Sequence, residues 1–182
     1  MKKLFLMAAF VVASVAASAQ VYVGGSLGFE SSKEYKDAET LTSFSIIPEV
    51  GYNLSDNLAV GIQLGYASQD IMLAGEDEDV KGTASAFSIA PYARYTFAKS
   101  GAASFFVDGG IIFTSYGSDA DGSNFGVGLR PGIKFAVSDK VDVVAKTGFL
   151  GYSKDNDDLG GGSKFGLSID NTDLSLGVFF NF

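Results

Sequence analysis

The chain contains no cysteine, no histidine and no tryptophan. Without cysteine, disulfides, thiolate nucleophiles and iron–sulfur ligation are excluded. Without histidine, the commonest general base and the commonest metal ligand are both gone. Proline is scarce, at three in 182 residues, and positive charge is outnumbered: 13 Lys and Arg against 21 Asp and Glu give a formal charge of −8. That balance rules against nucleic acid as a partner. Long apolar runs are missing after the first twenty residues, so a membrane-embedded chain would have to cross as a closed barrel. What is abundant is glycine (23), phenylalanine (16) and tyrosine (8), in a composition that is 47% hydrophobic. This is too apolar for a disordered chain and points to a packed all-β structure.

The first nineteen residues read as a signal peptide. Lys2 and Lys3 precede an apolar run from Leu4 to about Ala13, and Ala17-Ser18-Ala19 is a small-x-small cleavage site. The apolar run is well short of the ~20 residues a spanning helix needs. No cysteine follows the cut, which excludes a lipoprotein anchor. The expected organisation is a signal peptide over 1–19 and one barrel domain over 20–182.

From Gln20 onward the dominant period is two. Apolar Val21, Val23, Leu27 and Phe29 alternate with Tyr22, Gly24, Ser26 and Gly28; Phe44, Ile46, Pro48, Val50 and Tyr52 alternate with Ser45, Ile47, Glu49 and Gly51. The same alternation over 58–67, 84–97, 104–115, 124–136, 140–152 and 172–182 predicts eight strands in all. The links at 53–57, 98–103 and 136–140 are short, whereas those at 31–41, 68–83, 116–123 and 153–171 are long and hold the acidic excess. Short turns at one end and long loops at the other describe an up-and-down outer-membrane barrel. Aromatic residues close the apolar face at both ends, with Tyr52, Tyr66, Tyr95 and Phe135 as the expected girdle; Phe149 falls in the same series.

A soluble sandwich or lipocalin-like barrel would show the same period with its apolar face inward. The other face argues against both. It carries Glu49, Asp108, Asp142 and Asp173 against Arg94, Arg130, Lys134 and Lys146, with Tyr92, Gln63 and many glycines between them. Four acids balanced by four bases suit a lumen cross-linked by ion pairs, since buried charges survive only when paired. One contiguous network of these eight residues is expected.

All three prolines sit at one repeated place. Phe44-Ser-Ile-Ile-Pro48-Glu-Val-Gly-Tyr52 and Phe87-Ser-Ile-Ala-Pro91-Tyr-Ala-Arg-Tyr95 share five of nine positions, and Leu129-Arg-Pro131-Gly-Ile-Lys-Phe135 repeats the tail. Proline interrupts a strand ladder, so a bulge or a correction of tilt is expected at each.

The chain ends Ser175-Leu-Gly177-Val-Phe-Phe180-Asn-Phe182. Ser175, Gly177, Phe180 and Phe182 resemble, in order, the β-signal of outer-membrane barrels. With the leader and eight strands, the whole mature chain resembles the OmpA/OmpX-like small barrels of the outer membrane protein beta-barrel domain type. The resemblance implies Gram-negative export to the cell outer membrane and recognition of the C-terminus by the barrel-assembly machinery. The fold class expected is therefore an all-β, eight-stranded antiparallel up-and-down transmembrane β-barrel, with short periplasmic turns and longer acidic extracellular loops.

For function, no catalytic group and no cofactor is expected: a Ser or Thr nucleophile would need a Lys base, and a salt-bridged Lys134 or Lys146 is a poor one. The acidic runs Glu76–Asp79, Asp119–Asp121 and Asp155–Asp158 offer oxygens for divalent cations but lack the spacing of a dedicated loop, and Gly160-Gly161-Gly162 reads as a mobile loop tip. The expectation is an integral barrel closed by its ion-pair network, acting in envelope structure or surface interaction through acidic loops. Outer-membrane lipid, lipopolysaccharide and bridging divalent cations are its expected partners. The alternative is a small porin-like channel or carrier.

Overall fold

The structure is a computed structural model that describes residues 20–32, 41–73, 80–118, 122–168 and 175–182. The leader over 1–19, the acidic runs Glu76–Asp79 and Asp119–Asp121, and Asp173 lie outside these residues.

Ten strand segments form one antiparallel sheet: β1 (Val21–Ser32), β2 (Leu41–Asn53), β3 (Leu58–Leu73), β4 (Val80–Ser100), β5 (Ala103–Ser118), β6 (Gly122–Ser138), β7 (Val141–Lys146), β8 (Phe149–Asp155), β9 (Ser163–Ser168) and β10 (Ser175–Asn181). β7 and β8 are two halves of the seventh barrel strand, and β9 and β10 belong to the eighth. β6 pairs on one side with β5 and on the other with both β7 and β8. β10 pairs with β7 and with β1, so the first and last strands meet and the sheet closes into an eight-stranded antiparallel barrel. Closure leaves no open edge to attract another strand.

The strands run further than the apolar alternation indicated. β4 has 21 residues; at ~3.3 Å each and a tilt near 40° that is a height of roughly 50 Å, about twice an outer-membrane apolar band. Much of the expected loop over 68–83 is therefore strand, because polar residues in a hairpin already begun by paired neighbours cost little when both faces meet water. The expected loop over 153–171 is corrected in the same way. Asn156 caps a single 3₁₀ turn, with its side chain accepting from the Leu159 N–H. Gly160 and Gly161 take φ of 88° and 64°, conformations glycine adopts without steric cost. The amides of Gly160 and Gly161 donate to the Asp157 and Asn156 carbonyls, and β9 follows at once. The glycines thus build a hydrogen-bonded turn between β8 and β9.

No bulge occurs at Pro48 or Pro91. Between β2 and β3 the pairs Ile46↔Tyr66 and Glu49↔Gln63 flank Pro48 in unchanged register, as Ile89↔Phe113 and Tyr92↔Gly110 flank Pro91 between β4 and β5. Each proline keeps its pair on the preceding strand and turns its missing N–H toward the following one. Pro131 differs. Opposite it, the seventh strand carries an extra residue: β6 pairs Leu129↔Leu150 and Gly132↔Lys146, three residues against four. Gly148 takes φ 68° there and the Thr147 N–H donates to the Pro131 carbonyl over 3.1 Å. This bulge flips the parity of the strand. Before it Asp142, Val144 and Lys146 point inward; after it Phe149 does, its ring lying over Gly128 and Gly151, while Leu150 and Tyr152 are exposed outside. The expectation that Phe149 joins the outer girdle is thereby corrected.

The outer face is apolar. Tyr52, Tyr66, Tyr95 and Phe135 are all exposed there, as are Phe29, Phe44, Phe87, Phe113, Phe125 and Phe182. No helix among the described residues is long and apolar enough to cross a membrane; crossing falls to the strands. A cysteine placed at Leu64, on this face, is expected to react with a lipid-soluble maleimide and to resist a charged one, and a cysteine at the inward Thr114 to show the reverse preference. Equal labelling of both by the charged reagent would count against a lipid-facing wall.

Candidate functional site

The inward positions build a plug across the barrel. Its apolar part is Tyr22, Ala59, Tyr92, Phe106, Val144 and Phe179, all buried. Their contacts set the charged groups in place. Arg94 lies over the Phe106 ring at 4.1 Å and over Tyr92 at 5.2 Å, where aromatic faces favour a cation. Its guanidinium grips Asp108 with two bonds, Nε to Oδ1 at 2.6 Å and an Nη to Oδ2 at 2.8 Å, the bidentate geometry in which arginine binds carboxylate best. The same Nη reaches Glu49 Oε1 at 3.0 Å.

Glu49 is the hub. Its Oε2 accepts from Lys146 Nζ at 2.6 Å and from Gln63 Nε2 at 2.9 Å, and its Oε1 also accepts from the Tyr92 hydroxyl. Lys146 completes a ring by standing 3.2 Å from Asp108 Oδ2. The hydroxyls of Tyr92 and Tyr22 are 2.6 Å apart and carry the chain of hydrogen bonds to the first strand. Glu49, Arg94, Asp108 and Lys146 are each only 5–6% exposed. Two acids and two bases cancel, and among the described residues no buried side-chain donor or acceptor lacks a partner. Because Glu49 stands on β2 and Lys146 on β7, strands separated in the sheet by β1 and β10, the contact crosses the lumen rather than following the wall.

The eight residues expected to form one network divide. Glu49, Arg94, Asp108 and Lys146 make the central ring. Lys134 and Asp142 form a separate pair at 3.5 Å, with Asn181 donating to Asp142 at 2.8 Å. Arg130 is Asp108's neighbour across β5 and β6 but makes no ion pair among the described residues, since the Asp108 carboxylate is turned to Arg94 and Lys146. Asp173 lies outside the described residues. Tyr22, Phe106, Val144 and Phe179 were not singled out from sequence, although three of them share inward parity with a neighbour that was: Phe106 with Asp108, Val144 with Asp142, Phe179 with Gly177.

The C-terminal residues are placed at the closing seam. Ser175 and Gly177 face inward while Phe180 and Phe182 are exposed outside. A Cβ on Gly177 would stand 2.6 Å from the Gly25 carbonyl oxygen of β1, and one on Gly24 would strike the Val178 carbonyl and the Phe179 ring. The two strands therefore meet closely through glycines, Gly24 opposite Phe179, Gly25 opposite Val178 and Gly177 opposite Ser26.

A cavity of about 380 Å³ lies on the long-loop side of the plug and one of about 220 Å³ on the short-turn side. Among the described residues no group of three or more Asp or Glu is placed to hold a metal ion; in the run from Asp155, Asp155 accepts from Asn124 and Asp158 from Asn156, both at 2.6 Å.

The sequence profile of the family described as Outer membrane protein beta-barrel domain matches residues 4–182. The chain belongs to this family. Among solved structures, this outer-membrane barrel is similar in fold to Neisserial surface protein A (TM-score 0.54, 19% identity, 91% of this chain and 98% of that one). It is also similar to the outer membrane protein OprG from Pseudomonas aeruginosa (TM-score 0.55, 12% identity, 90% and 96%). No curated protein matches the sequence. Family membership and the apolar exterior place the barrel in the outer membrane.

Proposed function

We propose that the protein is a non-conducting, non-catalytic structural barrel of the outer membrane, exported by a cleaved signal peptide, whose lumen is closed by the Glu49–Arg94–Asp108–Lys146 ring. One observation carries this reading: the ring is neutral, buried and fully hydrogen-bonded, and it reaches across the interior. An eight-stranded interior is just wide enough for side chains, and these fill it. The function then lies in the surfaces at either end and in the wall. Acidic loops suit divalent cations that bridge them to lipopolysaccharide phosphates, and the Ser175-to-Phe182 segment suits recognition by the barrel-assembly machinery before it becomes the closing strand.

Planar-bilayer recording tests the closed lumen. The wild-type barrel is expected to give no steady conductance above background. A stable open level in most insertions would instead favour a small channel. The two cavities that approach the plug from opposite sides are the observation supporting that second reading.

A further inference from the structure

Arg130 is the lumenal cation that the plug does not use. Both oxygens of the facing Asp108 are engaged by Arg94 and Lys146, and among the described residues Arg130 has neither hydrogen bond nor ion pair. The ring beneath it is neutral, so among the described residues its charge is uncompensated at the floor of the 380 Å³ cavity that opens toward the long loops. Arg130 also lines a narrow gap of about 20 Å³ beside Glu49 and Lys146, too small for anything beyond a water molecule. The cavity walls are of two kinds. Ser153 and the second amide hydrogens of Gln63 and Asn124, whose first are given to Glu49 and Asp155, are the hydrogen-bond donors, whereas Ile112 and Phe149 are apolar, Phe149 being there only because the seventh-strand bulge turned it inward.

A half-buried guanidinium facing low-dielectric walls attracts an anion more strongly than a solvated one does. Its planar fork matches a carboxylate, and a cavity of this size lies in the range that encloses small ligands. We infer that this outer vestibule binds a small organic monoanion, its carboxylate on Arg130 and a short apolar body against Ile112 and Phe149. The site lies on one side of the plug, so its occupancy does not depend on whether the barrel conducts.

Benzoate titrated into the isotope-labelled, detergent-solubilised barrel and followed by NMR tests this. Saturable shifts are expected, confined to the side-chain amides of Gln63 and Asn124 and the Arg130 Nε–H. Arg130→Gln should weaken binding by about tenfold or more, the loss of one charged hydrogen-bonding partner, and Phe149→Ala should weaken benzoate more than acetate. Lys154→Gln, on the outer face, should change nothing. Absence of saturation, shifts centred elsewhere, or an Arg130→Gln barrel that titrates like wild type would overturn the inference. So would binding seen only in Asp173→Asn, because Asp173 would then be the counter-ion of Arg130. If Arg130→Gln does not fold, the location of the wild-type shifts decides.

Discussion

Replacing Arg94 with Met is expected to destabilise the folded barrel by about 3–5 kcal/mol, the cost of removing one partner from a buried ion pair. The substitution deletes three charged hydrogen bonds, two to Asp108 and one to Glu49. It leaves two buried carboxylates facing the single ammonium of Lys146. Adding Asp108→Leu restores neutrality, with Glu49 and Lys146 still paired at 2.6 Å. The double variant is therefore expected to lose less than the sum of the two single losses, by at least about 1 kcal/mol of coupling. Urea unfolding in lipid vesicles, read by the heat-modifiable gel shift, measures all four corners of the cycle. Additive losses would show that the ring does not act as a unit.

Gly24→Val is expected to be the most damaging change outside the ring. Its side chain would enter the space of the Val178 carbonyl and the Phe179 ring, and backbone cannot rotate away as a flexible side chain can. Overpacking of a close contact costs about 1–3 kcal/mol where neighbours can yield, and a seam between two strands yields least. The folded, heat-modifiable fraction should fall sharply on refolding, whereas Gly166→Val should be tolerated, because nothing lies within 4 Å of a Cβ there. Equal refolding of the two variants would refute a sterically tight seam.

Strand parity made most of the barrel legible beforehand. A period of two assigns faces without knowledge of partners, so the inward acids and bases and the outward aromatics could be read from residue identity alone. Which charges pair could not. Arg94 and Arg130 have the same parity and both neighbour Asp108; only the aromatic bed of Tyr22, Tyr92 and Phe106 decides for Arg94. Phe149 was misplaced because one extra residue at Thr147–Gly148 shifts every later side chain of that strand to the opposite face. Pro131 pointed to that place, but the bulge is on its partner strand, where no proline marks it. The over-long loops have a different origin. Alternation ends where the apolar band ends, while hydrogen-bonded pairing continues beyond it.

The plug also sets an order of events in the making of the protein. Asp108 and Arg94 lie 14 residues apart on adjacent strands and can meet as soon as that hairpin forms. Glu49 and Arg94 are 45 apart, and Glu49 must wait across 97 residues for Lys146. Until the seventh strand arrives, Glu49 and Asp108 share the single guanidinium of Arg94, and the excess negative charge has to stay in water. An incomplete barrel therefore keeps an open, hydrated interior, and the lumen dries only when the last strands are in hand, so that the closing of the wall and the sealing of its centre are one step.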